Sequence, residues 1–157
     1  MGVWAIAAGA AVFALDQWTK SLVRSRLGAD SHVQLLPFLK FEHVQNTGIA
    51  FGLFSGAGVA LMIGTVVVAV GLVTWLLRLP GVTVVTACAA GSIGGGALGN
   101  LVDRARQGSV TDFITVPHWP TFNVADSFIV VAVVVLLIHG PVPGYRRESP
   151  DAGGGES

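Results

Sequence analysis

Asn123-Val124-Ala125-Asp126-Ser127-Phe128-Ile129-Val130-Val131-Ala132-Val133-Val134-Val135-Leu136-Leu137-Ile138-His139 governs how the rest of the chain is read. After Asp126 it carries no charged side chain until His139. A hydrocarbon core of about 30 Å is crossed by about 20 mostly apolar residues rising about 1.5 Å each. Three further runs read the same way: Gly2 to about Val23, about Val59 to Leu79, and about Val82 to Val102. Hydrophobic residues make up 52% of the 157 and charged ones 11%, with a mean hydropathy of +0.70. Four such runs leave too little polar sequence to wrap them in a soluble fold. The predicted fold class is therefore an α-helical membrane protein with four transmembrane helices.

Formal net charge is zero and no basic run is present, which argues against nucleic acid as a partner. The single cysteine, Cys88, permits neither a disulfide within the chain nor a cysteine metal cluster. A membrane disulfide oxidoreductase is excluded by that count. Gly2 to Leu15 is small and apolar like a signal peptide, but it lacks a positive start. Asp16 and Lys20 follow one turn apart, where an embedded carboxylate is paired, so the run reads as a retained helix with a polar end.

Residues 28–58, approximately, are too polar to span. His32 to Val44 alternates in short steps, which predicts extended strand and a small extramembrane β element. Arg78-Leu79-Pro80-Gly81 predicts a tight turn between antiparallel second and third helices. Gly91, Gly95 and Gly99 recur every four residues and lay a flat stripe against which another backbone packs closely. Pro141 to Ser157, rich in Gly, Pro and charge, predicts a disordered tail and leaves residues 1–140 as one domain.

Helices crossing in alternating directions bring the end of the first, the start of the second, the end of the third and the start of the fourth to one side. Asp16, Gln17 and Lys20, then Asn46, Thr47 and Gly48, then Asn100, Asp103 and Arg104, then Asn123, Asp126 and Ser127 all fall there. Ionisable groups in a membrane cost about 2.5–3.5 kcal/mol each on insertion scales, so this cluster is a candidate site. Asp103 adjoins Arg104 and Asp16 has Lys20, so both read as ionised, structurally paired carboxylates. Asp112, among Val110, Phe113 and Ile114, has no adjacent cation, and neither has Asp126, between Ala125 and Ser127. Each also has a plainer reading. Asp126, three residues after Asn123, fits a helix capping box, and Asp112 fits a solvated strand-edge carboxylate. For Asn46, Asn100 and Arg104, helix-end satisfaction and ion pairing compete evenly with substrate binding.

The runs Asp16-Gln17-Trp18-Thr19-Lys20, Asn46-Thr47-Gly48-Ile49-Ala50-Phe51, Gly99-Asn100-Leu101-Val102-Asp103-Arg104, Val110-Thr111-Asp112-Phe113 and Phe122-Asn123-Val124-Ala125-Asp126-Ser127 resemble, in order, the motif set of lipoprotein signal peptidases. The resemblance implies a four-helix membrane aspartyl endopeptidase with an extracytoplasmic β-cradle between the first two helices. Such an enzyme removes the signal peptide from prolipoproteins whose cysteine bears a diacylglyceryl group. Asp112 and Asp126 become the catalytic pair on that pattern. Asp16, Lys20, Asn46, Gly48, Asn100, Asp103, Arg104 and Asn123 bind substrate or shape the site. The expected partners are the lipid-modified prolipoprotein and membrane lipids, with no cofactor, no metal and a monomeric enzyme. The expected location is the bacterial cytoplasmic membrane, multi-pass, with the site at the outer face and the tail inside. Two carboxylates a few ångströms apart share a proton, so the ionised one activates water while the protonated one donates, with no covalent intermediate.

Other chemistries fit less well. A serine protease would rest on Ser92 with His118 or His139, yet Ser92 reads as a small packing residue and His139 falls at the far end of the last helix. His-Glu-x-x-His is absent, and His32, His43 and His118 are scattered, which disfavours a metalloprotease. The alternative from another class is a small ion- or proton-coupled carrier with buried aspartates, but a pathway needs polar residues in both halves of the membrane. Charge bias runs against the expected orientation. Lys20, Arg24, Arg26, Lys40, Arg104 and Arg106 lie on the side of the motifs, against Arg78, Arg146 and Arg147 opposite. The orientation follows the resemblance, because Lys20 and Arg104 have neighbouring carboxylates and Lys40 lies in the β element.

Overall fold

The computed structural model describes residues 1–28, 31–47 and 81–139, with isolated positions between 64 and 78. Helix α1 spans Gly2–Arg26 and is followed by strands β1, His32–Leu36, and β2, Leu39–Asn46. Helix α2 spans Val84–Gln107, strand β3 Val110–Thr115 and helix α3 Val124–His139. The described positions between 64 and 78 are helical. Most of the second apolar run lies outside the described residues, as do Gly48 and the tail from 141 onward.

Helix α2 is central, packed between α1 and α3. Its start is fixed by a reciprocal capping box between Thr83 and Thr86, and its end by Gly108 in the left-handed region at φ 74. The glycine stripe meets α1. A Cβ at Gly91 would overlap the Ala5 carbonyl oxygen, and one at Gly95 would overlap that of Gly9. On the other flank, a Cβ at Gly96 would sit 3.0 Å from the Ala125 carbonyl oxygen of α3. Small residues therefore set how closely all three backbones approach.

Many buried apolar positions in the helices are small, among them Ala5, Ala87, Ala90, Ala97, Ala125 and Ala132, while large apolar side chains such as Val3, Trp18, Val130 and Leu137 point outward. Water-soluble bundles sort these classes the other way, and a bundle solvated by lipid sorts them like this. Among the described residues α2 alone combines the length and apolarity of a membrane crossing. α1 is as long but holds Asp16, Lys20, Arg24 and Arg26, and α3 has 16 residues.

The β element is larger than expected from residues 28–58. β1 and β2 form an antiparallel hairpin, and β3, from beyond α2, pairs antiparallel with β2 to complete a three-stranded sheet in the order β1-β2-β3. Val44 opposes Asp112 and Asn46 opposes Val110, which makes Asn46 the diagonal neighbour of Asp112 on the same face. After β3 the chain turns back at once. Ile114 and Phe122 exchange backbone hydrogen bonds of 2.8 and 3.0 Å, so Asn123 and the start of α3 return beside the strand.

Candidate active site

Asp16 and Lys20, one turn apart on α1, are both fully buried and lie 2.8 Å apart. The Lys20 ammonium also reaches Asp103 Oδ2 at 3.2 Å and donates to Asn100 Oδ1 at 2.7 Å, which uses its three N–H groups. Asp16 Oδ1 accepts from the Ala125 backbone N–H at 3.0 Å, tying α1 to the first turn of α3, where a carboxylate is favoured. Gly99 makes room for this carboxylate, since a Cβ there would overlap Asp16 Oδ2. Asp103 further accepts from the Thr111 backbone N–H at 3.1 Å, anchoring β3 to the last turns of α2.

Among the described residues, the other two aspartates have no cation within salt-bridge distance. Asp112 is buried on β3, and its carboxylate accepts from Asn123 Nδ2 at 2.7 Å and from Asn46 Nδ2 at 2.9 Å. Asp126, half-buried in the first turn of α3, accepts from Asn100 Nδ2 at 2.8 Å. Its second oxygen accepts from the Asn123 backbone N–H at 3.2 Å, while Asn123 Oδ1 accepts from the Asp126 N–H at 3.1 Å. The capping box read from the three-residue spacing is present, and it leaves one Asp126 oxygen turned to Asn100. Asn123 thus touches both aspartates, and its amide also donates to Asn100 Oδ1 at 3.0 Å. Burial holds the Asp112 carboxyl above the usual carboxylate range. The amides of Asn46 and Asn123 oppose that shift, and the Asp126 charge adds to it.

The profile of the family described as Signal peptidase (SPase) II matches residues 8–141. The chain belongs to the signal peptidase II family. A lipoprotein signal peptidase of Mesorhizobium japonicum is 42% identical over 150 residues, covering 90% of this chain and 87% of that one. One from Aquifex aeolicus is 39% identical over 135 residues, covering 81% of this chain and 79% of that one. A bacterial membrane enzyme solved by the in meso method at 1.9 Å superposes with a TM-score of 0.79 at 29% identity, covering 85% of this chain and 90% of the other. Membership makes the protein a protease, and the family and fold together make it a membrane protein.

Seen as a signal peptidase II, the chain gathers nearly all the residues singled out from sequence. Asp16, Lys20, Asn46, Asn100, Asp103, Asp112, Asn123 and Asp126 form one hydrogen-bonded assembly. Gly48 lies outside the described residues. The pairing of Asp103 with Arg104 is not found. Consecutive helical residues do not face each other, and Asp103 turns instead to Lys20 and to Arg24, whose Nη1 is 3.6 Å away. The half-buried Arg104 makes no ion pair among the described residues. Arg24, which the sequence places on the motif side only as a charge, joins the site by donating to Thr111 Oγ1 at 3.1 Å. Gln17, on the motif side, carries an amide that spans Gly99 O at 3.2 Å and Asp103 Oδ1 at 3.3 Å. Asp16, Lys20 and Arg24 recur at four-residue spacing, a signal that was present. Ser92 donates to Cys88 O at 2.9 Å, as a packing residue on α2 would.

Proposed function

We propose that this protein is a membrane aspartyl endopeptidase that cleaves the signal peptide from diacylglyceryl-modified prolipoproteins, with Asp112 and Asp126 activating a water. Support from relatives comes through family membership, since the Mesorhizobium and Aquifex proteins are lipoprotein signal peptidases. The observation that carries the chemistry is that these two aspartates share Asn123 and, among the described residues, have only neutral hydrogen-bond donors. Two carboxylates so coupled hold one proton between them.

Burial favours the proton on Asp112. Asp126, facing two N–H donors, takes the proton of a water as it attacks the scissile carbonyl. Asp112 donates to the carbonyl oxygen as the tetrahedral intermediate forms. The proton gained by Asp126 passes to the leaving amine as the C–N bond breaks, the hydroxyl formed from the carbonyl oxygen returns its proton to Asp112 as the C=O bond re-forms, and no covalent enzyme intermediate forms. In this reading Asn46, Gly48, Asn100, Arg104 and Asn123 hold the substrate backbone and shape the pocket, while Asp16, Lys20 and Asp103 fix the helices around it. Four helices cross the cytoplasmic membrane of a bacterium, the sheet lies on the outer face, and the enzyme works as a monomer in lipid.

Purified protein in detergent should cleave a lipidated prolipoprotein peptide, and Asp112→Asn and Asp126→Asn should each abolish turnover while substrate still binds. Cleavage surviving either substitution would overturn the dyad. Sustained proton flux in proteoliposomes without cleavage would point to the carrier. A reporter fused after Tyr145 reads the orientation, with a cytoplasmic signal expected.

A further inference from the structure

Lys20 donates to neither Asp112 nor Asp126, yet it decides how the groups around them face. An ammonium is donor-only, whereas a primary amide offers an acceptor on one side and donors on the other. With Lys20 Nζ 2.7 Å from Asn100 Oδ1, the Asn100 NH₂ must point the other way, and it meets Asp126 Oδ1 at 2.8 Å. Asn123 reinforces this orientation, since its Nδ2 also donates to Asn100 Oδ1 at 3.0 Å while donating to Asp112 Oδ1 at 2.7 Å. A flipped Asn100 would set NH₂ against ammonium and oxygen against carboxylate, two repulsive contacts in a buried place. The flip becomes tolerable at Asp126 only if Asp126 holds a proton.

We propose that Lys20 is a positioning residue for the reaction: by holding the oxygen of Asn100 it forces an N–H donor onto Asp126, and so reserves Asp126 as the carboxylate that accepts the proton of water. This rests on the dyad reading above. The charged groups around the network are Asp16 and Arg24 from α1, Asp103 from α2 and Asp112 from β3. Asp16 and Asp103 offset the Lys20 charge, which leaves its donor direction as the asymmetric element.

The test uses the full chain in detergent with a lipidated peptide, following kcat and KM across pH for each variant per folded molecule. Lys20→Met is expected to lower kcat about 10²-fold, the scale of a misplaced reacting group, at an unchanged KM. The acid limb of its profile should move to higher pH, because a carboxylate deprived of a donor holds its proton longer. In an Asn100→Leu background the same Lys20→Met change should cost nothing further, since Lys20 acts through that amide. Asn100→Asp keeps an acceptor for Lys20 but gives Asp126 no donor, so it should fold and lose kcat like Lys20→Met. A wild-type pH profile in Lys20→Met, or an equal loss with and without Asn100, overturns the proposal. If Lys20→Met does not fold, wild-type turnover in Asn100→Asp overturns it instead. Should Asp112→Asn or Asp126→Asn still cleave, the dyad reading itself has failed, whatever Lys20 does.

Discussion

Four carboxylates gather at one end of this helix bundle, and they divide into two pairs by the company they keep. Asp16 and Asp103 face the Lys20 ammonium, with Arg24 beside Asp103. Asp112 and Asp126 face amides and a backbone N–H. Depth alone does not separate them, for Asp112 is as buried as Asp16 and Asp103 while Asp126 is half-buried. A buried carboxylate beside a cation has its charge offset by that partner and serves structure. At Asp112, beside neutral donors, burial is not fully compensated and the carboxyl is raised. Hydrogen-bond partner, more than burial, marks which pair is suited to proton transfer.

The sharpest way to break this division is to neutralise one member of each pair. Asp112→Asn and Asp126→Asn should take cleavage below detection, a loss at least as large as the about 10²–10⁴-fold worth of a general acid or base, with little change in thermal unfolding in acid. Asp16→Ala should do the reverse in emphasis. It leaves Lys20 short of a partner and the Ala125 N–H unpaired, at a cost of about 3–5 kcal/mol in unfolding free energy, read from denaturation in detergent. Gly99→Ala pushes a methyl into the Asp16 carboxylate and should cost about 1–3 kcal/mol by the same measurement. Arg24→Ala removes a partly exposed cation at 3.6 Å and should cost about 0–1 kcal/mol.

The pH dependence of stability sharpens the same contrast. Because burial raises the Asp112 carboxyl, its neutral form is favoured in the folded protein. That contribution is full below the usual carboxylate range and is lost as pH climbs through the raised value. Asp112→Asn should therefore gain on the wild type as pH rises, and the difference should vanish in acid. A loss on the wild type as pH rises, measured by thermal unfolding, would place Asp112 among the structurally paired carboxylates.

Sequence alone determined what depends on neighbours a few positions away. The helices beginning at Gly2 and Val124, the Asp16 and Lys20 pair, the close approach promised by Gly91 and Gly95, and the capping partnership of Asn123 with Asp126 are all set by spacings of three or four residues, which a helix converts directly into proximity. Tertiary structure decided the rest. β3 joins the sheet only because Gly108 turns the chain out of α2 toward β2, and Gly99 is small because Asp16 arrives from another helix. Lys20 meets Asn100 across 80 residues of chain, and Asn123 reaches Asp112 because the Ile114–Phe122 pairing folds the segment back. Those contacts are fixed by how separate elements pack, and local periodicity holds no record of which distant partner a side chain will meet.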